Sequence, residues 1–161
     1  MRVYLPVTMN LLAAALAPGA TRELSGGSGF AVTPGMREWY ASGDTEELEY
    51  IALSLAAAAS LALISGDPAA PRRRVVIAAD VDPAAVSGAD DGTRASRGQI
   101  TVTQPIAFAR VAAVHVDDAG AAAAVEAAAL DPSDEFATEE AADHELLWYA
   151  TQEVEDLLRG L

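Results

Sequence analysis

The stretch Asp44–Ser65, with the sequence DTEELEYIALSLAAAASLALIS, decides the fold of this chain. Its residues favour a helix throughout, and between Ile51 and Ile64 only Ser54 and Ser60 are polar. A helix at the surface of a protein normally carries a polar stripe along its solvent side. Because this stretch has none, we predict a central core helix that the rest of the chain covers on every side.

The sequence also predicts where this helix begins and ends. Asp44 is a residue type that accepts hydrogen bonds from the first backbone N–H groups of a helix, and Glu47 follows at the spacing of a capping box. Gly66 and Pro68 mark the end. A transmembrane helix is the rival interpretation, but it requires about 20 consecutive apolar residues. The stretch has fewer between its acidic first turn and its end, so we expect no membrane insertion.

Composition limits the classes of partner. The chain has 161 residues and a formal net charge of −14, which predicts a single globular domain over residues 1–161. The negative charge repels nucleic acids and anionic membrane surfaces, so we expect neither as a partner. Without cysteine the chain has no disulfide and no thiolate metal site. The N-terminal apolar stretch is interrupted by Pro6, Thr8 and Asn10, unlike a signal peptide, and predicts a cytoplasmic protein.

Two regions of the chain follow the same order of elements. RVYLPVT (2–8) and FAVTP (30–34) each lead from a strand into a helix, and RVAAVHVDD (110–118) and LLWYATQ (146–152) do the same. Chance is one explanation, because strand–helix units are common; the other is a duplication of two βαβα halves related by a pseudo-twofold axis around helix 44–65. The predicted fold class is α+β or α/β, with a single mixed β-sheet packed with helices.

Three further segments complete the predicted organisation. RRRVVIAADV (72–81) contains a continuous β-branched run, which is typical of a strand covered on both faces. Residues 83–98 are rich in turn formers and predict a mobile loop. Residues 131–145, DPSDEFATEEAADHE, predict an acidic loop with at most one helical turn.

Polar residues follow several of the predicted strands: Thr8, Thr33, Asp80, Asp82, Asp117, Asp118 and Thr151. In a parallel sheet they meet at one edge, which is where ligands usually bind in open sheets. The more ordinary interpretation is that they are helix caps and turn residues. Asp80, Asp117 and Asp118 together are a weak candidate site for a hard divalent cation.

Two histidines are weak catalytic candidates. His115 and Asp117 lie two residues apart on a predicted strand and therefore point to the same face, where the carboxylate can orient the imidazole. The alternative is a half-buried histidine in an ordinary ionic pair. His144 lies between Asp143 and Glu145 in the acidic segment, where an exposed histidine needs no special role.

The aromatic residues and two arginines are the candidate binding residues: Arg37, Trp39, Tyr40, Arg110, Trp148 and Tyr149. Trp and Tyr favour positions where one part of the side chain is dry and another forms hydrogen bonds, so a groove or a partner surface is one interpretation. Packing against the central helix is the alternative. An Arg beside aromatics is either paired with a carboxylate or available to an anionic ligand.

Several segments together resemble a family of short uncharacterised actinobacterial proteins, defined as a domain of unknown function. The segments are MRVYLP, FAVTPGMREWYASGDTEELEYIAL, RRVVIAADV, ARVAAVHVDD and DHELLWYATQEVEDL. The resemblance extends over nearly the whole chain and is least close around residues 83–98 and in the acidic segment. It implies a bacterial, cytoplasmic, single-domain protein and assigns no catalytic residues.

The sequence leaves two functional hypotheses. The first is a non-enzymatic module that binds a protein partner or a small ligand, without a cofactor; a homodimer formed through an apolar face is an alternative to a protein partner. The second is a hydrolase-like enzyme that uses His115 and Asp117, with a divalent metal as an option. No catalytic motif in the sequence is specific enough to name a reaction.

Overall fold

The computed structural model of the protein describes residues 1–88 and 97–160. The strands in this part of the chain are β1 (Arg2–Val7), β2 (Glu23–Leu24), β3 (Gly27–Phe30), β4 (Val75–Asp80), β5 (Val86–Gly88), β6 (Gln99–Val102), β7 (Ile106–Ala107), β8 (Val111–Asp117) and β9 (Leu146–Tyr149). The α-helices are α1 (Met9–Ala15), α2 (Pro34–Trp39), α3 (Thr45–Ser65), α4 (Ala122–Leu130), α5 (Glu135–Asp143) and α6 (Val154–Arg159).

Seven strands form one sheet in the order β5-β6-β3-β1-β4-β8-β9. All neighbouring pairs in this sheet are antiparallel, and β2 and β7 form a separate antiparallel pair. Helices packed on an antiparallel sheet confirm the predicted α+β class. The strand directions differ from the predicted mixed sheet. As a consequence, polar residues that follow β1 and β8 lie at one end of the sheet, and those that follow β3, β4 and β9 lie at the other.

Strand β4 lies inside the sheet and is covered on both faces, as its sequence predicts. Val75–Ala79 are all buried, because β1 and β8 pair with the two edges of β4 and helices cover both of its faces. Val75 and Ile77 belong to a core with Met9 and Leu12 of α1. We call this side of the sheet the α1 face. Val76 and Ala78 belong to a core shared with α3, on the side that we call the α3 face.

Helix α3 begins as its sequence predicts. The Asp44 carboxylate accepts from the Glu47 N–H at 2.9 Å, and the Glu47 carboxylate accepts from the Asp44 N–H at 3.1 Å, which is a complete capping box. Ser60 Oγ fixes α3 to the sheet, because it donates to the Val7 carbonyl and accepts from the Val75 N–H.

The prediction that α3 is covered on every side is wrong. Leu48, Ala52, Ala56, Ser60 and Ile64 face the interior, but the opposite side of the helix is open. Leu55 is 36% exposed and Leu63 is 41% exposed. By length and composition α3 is apolar enough to cross a membrane, although part of it is buried in the fold. An apolar sequence on all sides of a helix therefore did not indicate which side the sheet would cover.

The order of strands is symmetric about β4 for the five strands β3-β1-β4-β8-β9, and β1 and β8 both run antiparallel to β4. Helices α1 and α6 supply Met9, Leu12 and Val154 to the core on the α1 face, whereas α2 supplies Met36 to the α3 face. This arrangement fits a pseudo-twofold axis along β4. The duplication itself stays a prediction.

The prediction of an acidic loop at residues 131–145 is wrong, because this segment contains the nine-residue helix α5. Asp134 accepts from the Ala137 N–H at 3.2 Å and caps the helix. Ala137 and Ala141, one turn apart, are buried in a cluster with alanines of α4. Two small residues are thus sufficient to attach an otherwise acidic helix to the fold.

The predicted mobile loop at residues 83–98 is described only in part. Pro83–Ala85 form a 3-10 turn and Val86–Gly88 form β5, which pairs with β6 at one edge of the sheet. Residues 89–96 lie outside the described residues, so for them the loop stays a prediction.

Candidate functional site

The candidate aromatic residues do not meet in one groove. Trp39 and Tyr40 lie on and just after α2, which follows β3, whereas Trp148 lies on β9. Strands β1, β4 and β8 separate β3 from β9, which is about 19 Å across the sheet at the usual strand spacing. Tyr149 points to the α1 face and packs against its core. Tyr40 instead shares a shallow depression with Tyr50 of α3.

Asp117 is bound to Arg74, a residue that the sequence analysis did not select. Arg74 Nε donates to Asp117 Oδ2 at 2.9 Å and Arg74 Nη2 donates to Asp117 Oδ1 at 2.7 Å. The backbone N–H of Arg74 also donates to Oδ2 at 2.8 Å. The Asp117 side chain is 0% exposed and that of Arg74 is 4% exposed. The Asp117 carboxylate is therefore occupied and inaccessible, so it orients Arg74 and not His115.

A signal for this pair existed in the run Arg72–Arg74, which directly precedes the buried strand β4. The structure gives each of the three arginines a different acceptor. Arg72 pairs with Glu126 of α4, and Arg73 Nε donates to the carbonyl oxygen of Asp117 at 2.9 Å. Three cations before a buried strand indicate that anionic or carbonyl acceptors lie nearby in the fold, and Asp117 supplies them to Arg73 and Arg74.

His115 is half-buried on the α3 face of β8, opposite Val76 on one side and Trp148 on the other. Burial lowers the pKa of His115 below its usual 6.5, and the positive charge of Arg2 lowers it further. The lowered pKa makes the His115 imidazole a weaker base, and the Asp117 carboxylate that was predicted to orient it is bound to Arg74. The predicted His115–Asp117 catalytic pair is therefore wrong for this fold.

Acidification is expected to destabilise the protein through His115. Its folded-state pKa lies below the unfolded value of 6.5, so the unfolded chain binds more protons between these two pKa values. The stabilisation is present above pH 6.5 and is lost as the pH falls through the folded-state pKa. Urea denaturation above and below pH 6.5 is expected to give a weaker pH dependence for His115→Gln than for the wild type. His144→Gln is the control, and an unchanged pH dependence in His115→Gln contradicts the assignment.

The weak cation site at Asp80, Asp117 and Asp118 is not assembled. Asp80 and Asp117 lie at opposite ends of the sheet, since Asp80 ends β4 and Asp117 pairs with Leu146 beyond the start of β4. Arg2 forms a hydrogen-bonded ion pair with Asp80 at 2.9 Å, which lowers the pKa of that carboxyl. Asp118 caps the 3-10 turn Ala119–Ala121. Within residues 1–88 and 97–160 no cluster of three or more His, Asp or Glu is placed to hold a metal ion.

Other polar candidates have local structural roles. Thr8 caps α1 by accepting from the Leu11 N–H, and Thr33 caps α2 by accepting from the Met36 N–H. These contacts favour the cap interpretation of residues at strand ends. Arg37 lies exposed in the last turn of α2. Arg110 is exposed before β8, and its charge contributes to the lowered pKa of Asp80.

Strand β9 is one edge of the sheet and carries exposed apolar side chains. Leu147 is 45% exposed and Trp148 is 61% exposed, and Trp148 lies beside His115 on the α3 face. Strand β8 pairs with only one side of β9, so alternate backbone groups of β9 point outward, away from β8. We call Leu146–Tyr149, with this outward side, the β9 edge.

The chain around the β9 edge is strongly acidic. Residues 111–158 contain thirteen Asp and Glu residues and neither Arg nor Lys. Glu145 directly precedes the strand, and both Asp143 and Glu145 are exposed. An edge strand with an exposed aromatic residue and exposed carboxylates just before it is a surface suited to an oppositely charged extended segment.

A cavity of about 170 Å³ lies close to the first residue of β9, between α3 and α5. Its walls are mainly apolar, and Arg74 and His144 contribute polar groups to its lining. His144 takes part in the Arg74 cluster through its backbone, because Arg74 Nη2 donates to its carbonyl at 2.8 Å. We call this space the α3–α5 cavity.

Comparison with known proteins gives one match. The model of a family of unknown function, DUF6912, matches residues 1–158, a range that contains the β9 edge and the α3–α5 cavity. No curated protein and no solved structure matches the chain. The match confirms the resemblance to a domain of unknown function, and the actinobacterial origin stays a prediction.

Proposed function

The chain belongs to the DUF6912 family, a family of unknown function, and we propose that it is a non-enzymatic binding module whose β9 edge receives an extended, cationic segment of a partner protein. The observation that carries this proposal is the exposure of Leu147 and Trp148 on a strand with an unpaired outward side. An added strand forms main-chain hydrogen bonds with such an edge, and side-chain contacts give specificity.

Trp148 is the expected anchor of the interaction. Tryptophan is enriched among the residues that contribute most to binding energy, because its large ring buries apolar area and its N–H donates a hydrogen bond. The outward side of a four-residue strand supplies few main-chain bonds. Most of the affinity is therefore expected from the side chains of the edge and from charge.

Charge favours a basic partner over a second copy of this chain. A homodimer formed through two β9 edges brings together two copies of the exposed carboxylates Asp143 and Glu145, which lie just before the strand. Like charges placed face to face cost free energy, whereas lysine or arginine on an incoming strand is attracted. This attraction weakens with added salt because it acts between exposed charges.

Replacing Trp148 is expected to weaken binding of a basic extended peptide. The probe is a labelled peptide of alternating valine and lysine, and fluorescence anisotropy measures its dissociation constant. Trp148→Ala is expected to raise the dissociation constant at least about tenfold, since losing a central aromatic anchor costs about 2 kcal/mol or more. Trp39→Ala is the matched control, because Trp39 is similarly exposed at 51% and lies on α2.

Two results contradict this proposal. One is equal weakening by Trp148→Ala and Trp39→Ala, or no preference for the lysine peptide over a peptide with glutamate in its place. The other is a wild-type dimer in light scattering that Trp148→Ala converts to a monomer, which assigns the β9 edge to a second copy of the chain.

A further inference from the structure

The α3–α5 cavity has a polar atom that the fold does not use. Arg74 Nε and Nη2 are taken by Asp117 and by the His144 carbonyl. Among the described residues no hydrogen bond involves Arg74 Nη1. In the same part of the chain, no fully buried side-chain nitrogen or oxygen lacks a partner, so Nη1 must retain some accessible surface. Since the side chain is only 4% exposed and lines the cavity, we infer that this surface faces the cavity.

The remaining walls of the cavity are mostly apolar. Leu53, Ala57 and Leu61 of α3 line one side, and Leu146 of β9 contributes to the lining. The hydroxyls of Ser54 and Thr138 donate to the backbone carbonyls of Tyr50 and Asp134, within their own helices. Tyr50 and His144 also line the cavity, but Arg74 Nη1 is the charged donor there, so a ligand in this space is held by apolar contacts and by this donor.

The charges around the cavity decide which acceptor suits that donor. The positive charge of Arg74 is matched by the Asp117 carboxylate, which binds it through both oxygens. Glu145 also lines the cavity and adds a negative charge. The site has no net positive charge, so no attraction compensates an anionic ligand for the free energy that it loses on leaving water. A neutral oxygen acceptor accepts the Nη1 hydrogen without that cost.

The volume limits the size of the ligand. An apolar cavity of about 150 Å³ is known to accommodate benzene, and the α3–α5 cavity measures about 170 Å³. We propose that this cavity binds a small single-ring or branched apolar molecule with one neutral carbonyl or hydroxyl oxygen, which accepts a hydrogen bond from Arg74 Nη1. This site adjoins the β9 edge and shares Leu146 with it, but the proposal does not depend on the peptide-binding proposal.

Three probes of similar ring size test the chemistry of the site: cyclohexanone, cyclohexane and cyclohexanecarboxylate. Binding is followed by NMR, through the methyl signals of Leu53 and Leu61 and the guanidinium signals of Arg74. Cyclohexanone is expected to shift all of them and to bind about tenfold more tightly than cyclohexane, because one hydrogen bond to a charged donor is added. Tightest binding by the carboxylate, or equal binding by ketone and hydrocarbon, overturns the proposal, as does the absence of any shift.

Filling the cavity supplies the matched variants. Ala57→Leu places extra volume in the cavity, since Ala57 lines it and is 4% exposed. It is expected to weaken cyclohexanone binding at least about tenfold. Ala62→Leu is the control, because Ala62 is exposed on the same helix and does not line the cavity. If Ala57→Leu does not fold, Thr138→Leu blocks the cavity from α5, and unchanged binding in the folded variant overturns the proposal.

Discussion

Ala56→Asp is expected to unfold the protein, whereas Leu55→Asp at the neighbouring position is expected to leave it folded. Ala56 is 0% exposed and lies in one cluster with Tyr4, Val76 and Ala78 on the α3 face. An isolated carboxylate in such a place costs several kcal/mol, which is comparable with a total stability of about 5–15 kcal/mol. Leu55 lies on the open side of α3, where an Asp side chain stays in water.

Circular dichroism during urea denaturation measures this difference. The Ala56→Asp variant is expected to lack the cooperative transition, and Leu55→Asp is expected to change the free energy of unfolding by about 1 kcal/mol or less. The reverse order of effects means that α3 lies on the sheet with a different side inward. Loss of folding in both variants means that α3 is covered on both sides.

Asp117→Ala is expected to be the second most damaging substitution. It leaves the Arg74 guanidinium buried without its carboxylate, and breaking a buried ion pair from one side costs about 3–5 kcal/mol. Asp80→Ala removes the ion pair with Arg2. In this pair the Arg2 side chain is 39% exposed and the Asp80 side chain is 53% exposed. Such exposed pairs contribute about 0–1 kcal/mol, so this variant is the matched control.

A double variant separates the ion pair from the rest of the site. Arg74→Met with Asp117→Leu removes both charges together, and apolar replacements of buried pairs are often neutral or stabilising. Chemical denaturation is therefore expected to give a larger free energy of unfolding for the double variant than for Asp117→Ala. If the two are equally unstable, the other hydrogen bonds of Arg74, including the one to the His144 carbonyl, contribute most of the stabilisation.

The sequence predicted local structure well where a few residues determine it. Asp44 and Glu47 specify the start of α3, and the β-branched run at Val75–Ile77 specifies the buried strand β4. Helix α5 was missed because its acidic composition resembles a loop, although Asp134 and the alanines at 137 and 141 carry a cap and a one-turn repeat. Because α3 is apolar on all sides, its sequence does not indicate which side faces water.

The candidate site was less predictable, because it depends on which strands become neighbours. Strand β4 lies between β1 and β8 and places Arg74 beside Asp117, although 43 residues separate them in the chain. The same strand order puts Trp39 and Trp148 on opposite sides of the sheet centre. Local sequence patterns do not indicate this strand order. Because neighbouring strands are antiparallel, the polar residues that follow the strands lie at two opposite ends of the sheet, whereas a parallel sheet would have placed them at one end.

Amide hydrogen exchange with and without the valine–lysine peptide tests the central claim, that the β9 edge receives an extended cationic segment, most directly. The outward amides within Leu146–Tyr149 are expected to gain protection when the peptide binds, because they become part of a new strand pair. Strand β5, the opposite edge of the sheet, is the internal control and is expected to exchange as before. Protection at β5, or peptide binding without any change in β9, contradicts the account.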